Sequence, residues 1–136
     1  MEWIKWTDNY SVSVKTIDEQ HKKLVVMINE LYVAMSSGNK EKDILSKIIQ
    51  GLANYAVYHF GTEEDWMKKF AFSGYAFHKG EHDNFVAKVS EFGEKFNKGT
   101  VLLDVEVLKF LKDWLLNHIL KTDKLYTACF NQNGIS

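Results

Sequence analysis

The segment from His59 to His82, HFGTEEDWMKKFAFSGYAFHKGEH, carries two pairs of metal-ligating residue types, His59 with Glu63 and His78 with His82. Each pair is four residues apart, which on an α-helix puts both side chains on one face with Cβ atoms about 5–6 Å apart. Between the pairs, Phe72-Ser73-Gly74 reads as a break, so the pairs fall on two helices rather than one. A chain that brings both pairs to one place must pack helices side by side.

The rest of the sequence supports long helices. Proline, whose ring and missing N–H interrupt helices, is absent from all 136 residues. Apolar residues recur at helical spacing in four stretches. The first starts at Asp18, expected as an N-cap, runs through Ile17, Leu24, Ile28, Leu31 and Met35, and stops at Gly38. The second starts near Asn39 and carries Ile44, Ile48, Leu52, Tyr55, Trp66 and Phe70. The third shows Phe85, Val89, Phe92 and Phe96, ending near Gly99. The fourth, from about Asp104, presents Leu108, Leu111, Leu115 and Leu125 with Trp114 beside them. Short connections predict an all-α, antiparallel up-down-up-down four-helix bundle over residues 18–130. Residues 1–17, with Trp3, Trp6 and Tyr10, read as an irregular aromatic arm laid on that bundle. With no repeat, linker or low-complexity tract, residues 1–136 are expected to form one domain.

Charge and cysteine usage exclude several classes. Seventeen basic residues nearly balance eighteen acidic ones, giving no field that would draw nucleic acid or an anionic membrane surface. The single Cys129 forms no internal disulfide, and no apolar run approaches the about 20 residues that span a bilayer. The opening MEWIKWTDNY has neither the basic start nor the continuous apolar middle of a secretory signal, so export by that route is not expected. A cytoplasmic location is expected.

All five histidines, His21, His59, His78, His82 and His118, fall on inward stripes. A lone histidine there is usually a core residue bonded to a carbonyl or hydroxyl. Five would each need a separate buried acceptor, whereas one metal cluster satisfies them together. Glu63 is singled out by its spacing from His59. Asp123 follows His118 by five residues and lies well round an ideal helix from it, so either a long-reaching carboxylate or a local wide turn is needed to bring it in. Imidazole with carboxylate suits iron, zinc, copper or manganese, and seven ligands suit two ions with bridging carboxylates better than one. The Glu-x-x-His pattern of ferritin-like di-iron bundles is absent.

Taken in order, Trp6 through Tyr10-Ser11-Val12 to Ile17-Asp18-Glu19-Gln20-His21, then His59-Phe60 with Glu63-Glu64, His78-x-x-x-His82 and His118-x-x-x-x-Asp123, resemble the ligand series of the hemerythrins, in particular the bacterial hemerythrin domains. The resemblance covers nearly the whole chain. It implies one iron held by His78, His82 and His118, a second held by His21 and His59, and bridges from Glu63, Asp123 and an oxo or hydroxo group. It also implies that Leu24, Phe60, Trp114, Leu115 and Ile119 wall an oxygen pocket, and that Tyr126 lies near the cluster.

The function so implied is reversible dioxygen binding, serving oxygen sensing or oxygen carriage and storage. No enzymatic activity is expected, since a di-iron oxidase or peroxidase usually needs a placed proton donor or substrate access. A redox or nitric oxide sensor is the further alternative. Bacterial members also occur fused to signalling proteins such as chemotaxis receptors, and the aromatic arm is a candidate reporter for such a role.

Overall fold

The computed structural model describes residues 3–36, 42–99 and 105–136. Helices α1 (Lys15–Ser36), α2 (Lys42–Lys69), α3 (Tyr75–Asn97) and α4 (Val105–Asn117) form the expected four-helix bundle, and there is no strand among the described residues. The chain continues from α4 through a π turn (His118–Thr122) and a 3-10 turn (Asp123–Tyr126) into α5 (Thr127–Gln132). The expected stop at Gly38 and starts near Asn39 and Asp104 lie outside the described residues. No described helix is long and apolar enough to cross a membrane.

Ile17, Leu24, Ile28 and Leu31 of α1 pack with Leu45, Ile49, Leu52 and Ala56 of α2, Phe85 and Val89 of α3, and Leu108, Leu111 and Leu115 of α4. Burying a side chain of this size stabilises by about 1.5–3 kcal/mol relative to leaving it in water. On α2 the inward register is Leu45, Ile49, Leu52, Ala56, and the expected Ile44 is exposed. Two apolar stripes one residue apart both fit the early part of α2. The one continuous with His59, Glu63 and Met67 faces the core.

The start of α1 differs from expectation. The helix begins at Lys15, so Asp18 lies within its first turn and is not the N-cap. Its carboxylate instead turns back to the arm, accepting hydrogen bonds from the Val12 N–H at 2.9 Å and the Ser11 hydroxyl at 2.6 Å. Within the arm, a 3-10 turn spans Asp8–Tyr10. Ile4, Val12 and Val14 are buried more deeply than Trp3, Trp6 and Tyr10. Trp3 stacks on Tyr32 with ring centroids 5.0 Å apart, and Asn29 clamps Ile4 through both its N–H and its carbonyl.

The break between α2 and α3 has a defined cause. Phe72 N–H donates to the Met67 carbonyl and Ala71 N–H to that of Lys68, the paired bonds of a Schellman motif. Ala71 takes the left-handed position at φ 53, where glycine is usual. The reversal aims α3 back along α2, which sets His78 and His82 opposite His59 and Glu63.

Candidate metal centre

Helix α1 delivers His21, α2 delivers His59 and Glu63, α3 delivers His78 and His82, and the π turn begins at His118 with Asp123 just past its end. All seven are buried, none more than 3% exposed. Burial of so many polar groups is costly unless each is compensated.

The π turn explains how Asp123 reaches the site. Five residues of regular α-helix rotate a side chain about 140° from its starting face. Here Asp123 N–H donates to the His118 carbonyl, a five-residue step that widens the turn and turns both side chains inward. The wide turn is thus present at the point where the sequence left two options. The same extra residue shifts everything after it, so Tyr126 and Phe130 are fully buried while Leu125, expected inward, is 65% exposed.

The ligand-type atoms form two groups that share both carboxylates. One comprises Glu63, His78, His82, His118 and Asp123, the other His21, His59, Glu63 and Asp123, with the atoms of each within 4.8 Å of one another. In the first, His118 Nε2 lies 3.1 Å from both His82 Nε2 and His78 Nε2. Asp123 Oδ1 is 2.9 Å from His78 Nε2 and from His118 Nε2, and Glu63 Oε1 is 3.2 Å from His82 Nε2. In the second, His21 Nε2 lies 3.0 Å from Asp123 Oδ2 and His59 Nε2 lies 3.3 Å from Glu63 Oε1. Adjacent ligands on an octahedral ion with bonds of about 2.1 Å are about 3.0 Å apart, so these separations match the edges of such an ion's ligand shell.

Hydrogen bonding within the cluster does not account for the arrangement. Both nitrogens of His21, Nε2 of His59, Oε1 of Glu63 and both carboxylate oxygens of Asp123 are buried without a hydrogen-bond partner. His21 Nε2 and Asp123 Oδ2 are close yet misdirected for a bond, as atoms aimed at a common third point would be. At the other end His59 Nδ1 faces Gln20 Oε1 at 2.7 Å, His82 Nδ1 faces Glu64 Oε2 at 2.8 Å and His118 Nδ1 faces Glu81 Oε1 at 2.8 Å. Each acceptor fixes the Nδ1–H tautomer and leaves the Nε2 lone pair facing inward. Lone pairs converging with two carboxylates suit divalent cations.

Electrostatics agree with a site that strongly attracts cations. Burial pushes His59 below the ordinary histidine range. Burial opposes the charge of His78 too, but Asp123 and Glu63 outweigh it and push this imidazole up to about 9. His118 is raised as well, since Asp123 and Glu63 outweigh its burial. Burial alone would raise Glu63 and Asp123, yet the surrounding imidazoles hold both carboxyls well below the usual range. Burial and the Glu63 charge push the Tyr126 phenol well above its usual range, so it stays protonated and donates to Glu63 Oε2.

Of the expected pocket residues, Phe60 stacks on His82 with centroids 3.8 Å apart and Trp114 stacks on His118 at 4.5 Å. Leu24, Leu115 and Ile119 are buried in the core. Sequence reasoning missed the outer partners Gln20, Glu64, Glu81 and Thr122. Glu64 and Glu81 each serve a histidine on another element, His82 of α3 and His118 of the π turn. No spacing rule within one helix exposes such pairs.

The Hemerythrin HHE cation binding domain family matches residues 12–129. The chain is 35% identical over 132 residues to a bacteriohemerythrin of Methylococcus capsulatus, covering 96% of this chain and 99% of that protein. It is 36% identical over 121 residues to a hemerythrin-like protein of Naegleria gruberi, covering 89% and 88% respectively. A solved wild-type hemerythrin superposes with a TM-score of 0.87 at 34% identity, covering 93% of this chain and 97% of that one. With the family matched across most of its length and its buried His, Glu and Asp side chains gathered into two cation-ready groups, the chain belongs to the hemerythrin family.

Proposed function

We propose that the protein binds dioxygen reversibly at a non-haem di-iron centre, for oxygen carriage, storage or sensing. The observation that carries this reading is the pair of overlapping ligand groups, with three histidines on one side, two on the other and both carboxylates in common. His78, His82 and His118 would hold one iron and His21 and His59 the other. Glu63, Asp123 and a solvent-derived oxo or hydroxo group would bridge them. Asp123 supports its bridging role by facing the first group through Oδ1 and the second through Oδ2. Two octahedral ions held in this way would offer about twelve positions, of which these ligands would fill about eleven, leaving one on the two-histidine side. When bound, two ferrous ions supply that open position and one electron each to dioxygen.

The chain's own residues do the rest. Glu63 is held by the Tyr126 hydroxyl, which fixes one carboxylate oxygen without offering a titratable proton near neutral pH. Leu24, Phe60, Trp114, Leu115 and Ile119 are the apolar wall of this reading. They keep water and protons from the reacting ions, so that dioxygen leaves unchanged.

The sensing role has support of its own in the arm. Thr127 donates to the Val12 carbonyl, Asn131 to that of Ser13 and Lys124 to that of Asn9, so the segment following Asp123 is tied to the arm. Protease cleavage of the arm in diferrous and diferric protein tests this, and identical digestion counts against it. The oxygen-binding reading itself is tested by anaerobic loading with ferrous iron and measurement of gas uptake. Two irons and one dioxygen per chain are expected, and a single iron per chain would overturn it.

A further inference from the structure

The partners behind the histidines are distributed unequally, and this carries an inference that rests on the di-iron reading. Behind the three-histidine group stand two carboxylates, Glu64 at His82 and Glu81 at His118. Glu81 is itself held in place, because the same Oε1 accepts the Thr122 hydroxyl at 2.9 Å. The pairings are sheltered, with the Glu64 side chain 17% and the Glu81 side chain 29% exposed. Behind the two-histidine group stands a neutral amide. Gln20 Nε2 donates to Thr62 Oγ1 at 3.3 Å, which turns the amide oxygen toward His59. His21 Nδ1 has no partner.

A carboxylate that accepts Nδ1–H fixes the tautomer and also increases the electron density at Nε2, whereas an amide fixes the tautomer with little increase. A histidine with no partner has neither advantage. We propose that Glu64 and Glu81 are positioning residues that make the three-histidine position the tight, first-filled one. Gln20 keeps the two-histidine position weaker and exchangeable. The chain then holds one ion firmly while the second equilibrates, and the second is the ion that faces the open position.

The test is an anaerobic titration of metal-free protein with Co2+ alone, followed by calorimetry and by the visible bands of the bound ion. The wild type should bind two ions in two resolved steps. The double variant Glu64→Gln/Glu81→Gln should weaken the first step by about 10- to 100-fold and leave the second in place, so that the steps merge. Gln20→Glu should do the reverse and tighten the second step by about 10-fold. Circular dichroism of each metal-free variant reports whether the bundle is intact. Unchanged first-step affinity in a folded double variant, or weakening confined to the second step, would overturn the proposal. If the double variant does not fold, Gln20→Glu decides alone, and an unaltered second step rejects the idea. A wild type that binds other than two ions would overturn the di-iron reading and this inference with it.

Discussion

Tyr126→Phe removes one hydroxyl and almost nothing else. The ring stacks on Phe130 with centroids 4.3 Å apart and on His78 at 5.6 Å, and phenylalanine keeps both contacts. Tyr126 is fully buried, as is its acceptor Glu63, so no water replaces the lost donor and no cavity opens beyond the space of one oxygen. The cost is therefore that of one hydrogen bond to a charged group, about 1.5–3 kcal/mol. At this chain length about 4 °C of Tm corresponds to 1 kcal/mol, so the metal-free variant should melt about 6–12 °C below the wild type. Urea denaturation of metal-free protein at neutral pH measures the difference with a common slope. A loss below about 0.5 kcal/mol, the level of an ordinary surface change, would mean that the hydroxyl does not hold Glu63.

Other consequences follow from the same geometry. His118→Ala removes the imidazole next to His78, His82 and Asp123, and iron analysis should find fewer than two irons per chain; two would contradict the assignment. Ile119→Ala, at a fully buried position, should leave both irons bound but speed autoxidation by admitting water, and an unaltered decay rate would remove Ile119 from the pocket wall. Ala71→Gly relieves a left-handed alanine and should raise stability by about 1 kcal/mol, read as a Tm increase of about 4 °C. Protons compete with metal at His78, which is raised to about 9 in the metal-free protein. Since the metal takes the deprotonated imidazole, Zn2+ affinity should increase with pH between 7 and that value, with protons released on binding; calorimetry in buffers of different ionisation enthalpy checks it, and a flat profile would contradict it.

The parts of the fold legible in the sequence are those governed by one helix at a time. His59 and Glu63, and His78 and His82, were readable because four residues of α-helix superpose side chains. The break at Ser73-Gly74 was readable from composition, although the residue that takes the left-handed turn is Ala71, which gives no such signal. Leu125 was misread because a period of 3.6 cannot anticipate an inserted residue, and the π turn that brings in Asp123 is what turns Leu125 out. The outer partners were invisible for another reason. Glu64 and Glu81 find His82 and His118 across helix boundaries, and only the assembled bundle defines those distances.

As proposed, this buried cluster binds dioxygen and releases it unchanged. The direct measurement is an optical titration of the anaerobic, reduced, iron-loaded protein with O2, followed by purging with argon. Visible charge-transfer bands that grow to one O2 per chain and vanish on purging, over repeated cycles, are the predicted result. Oxidation that is complete on first exposure, with no bands that argon reverses, would contradict it.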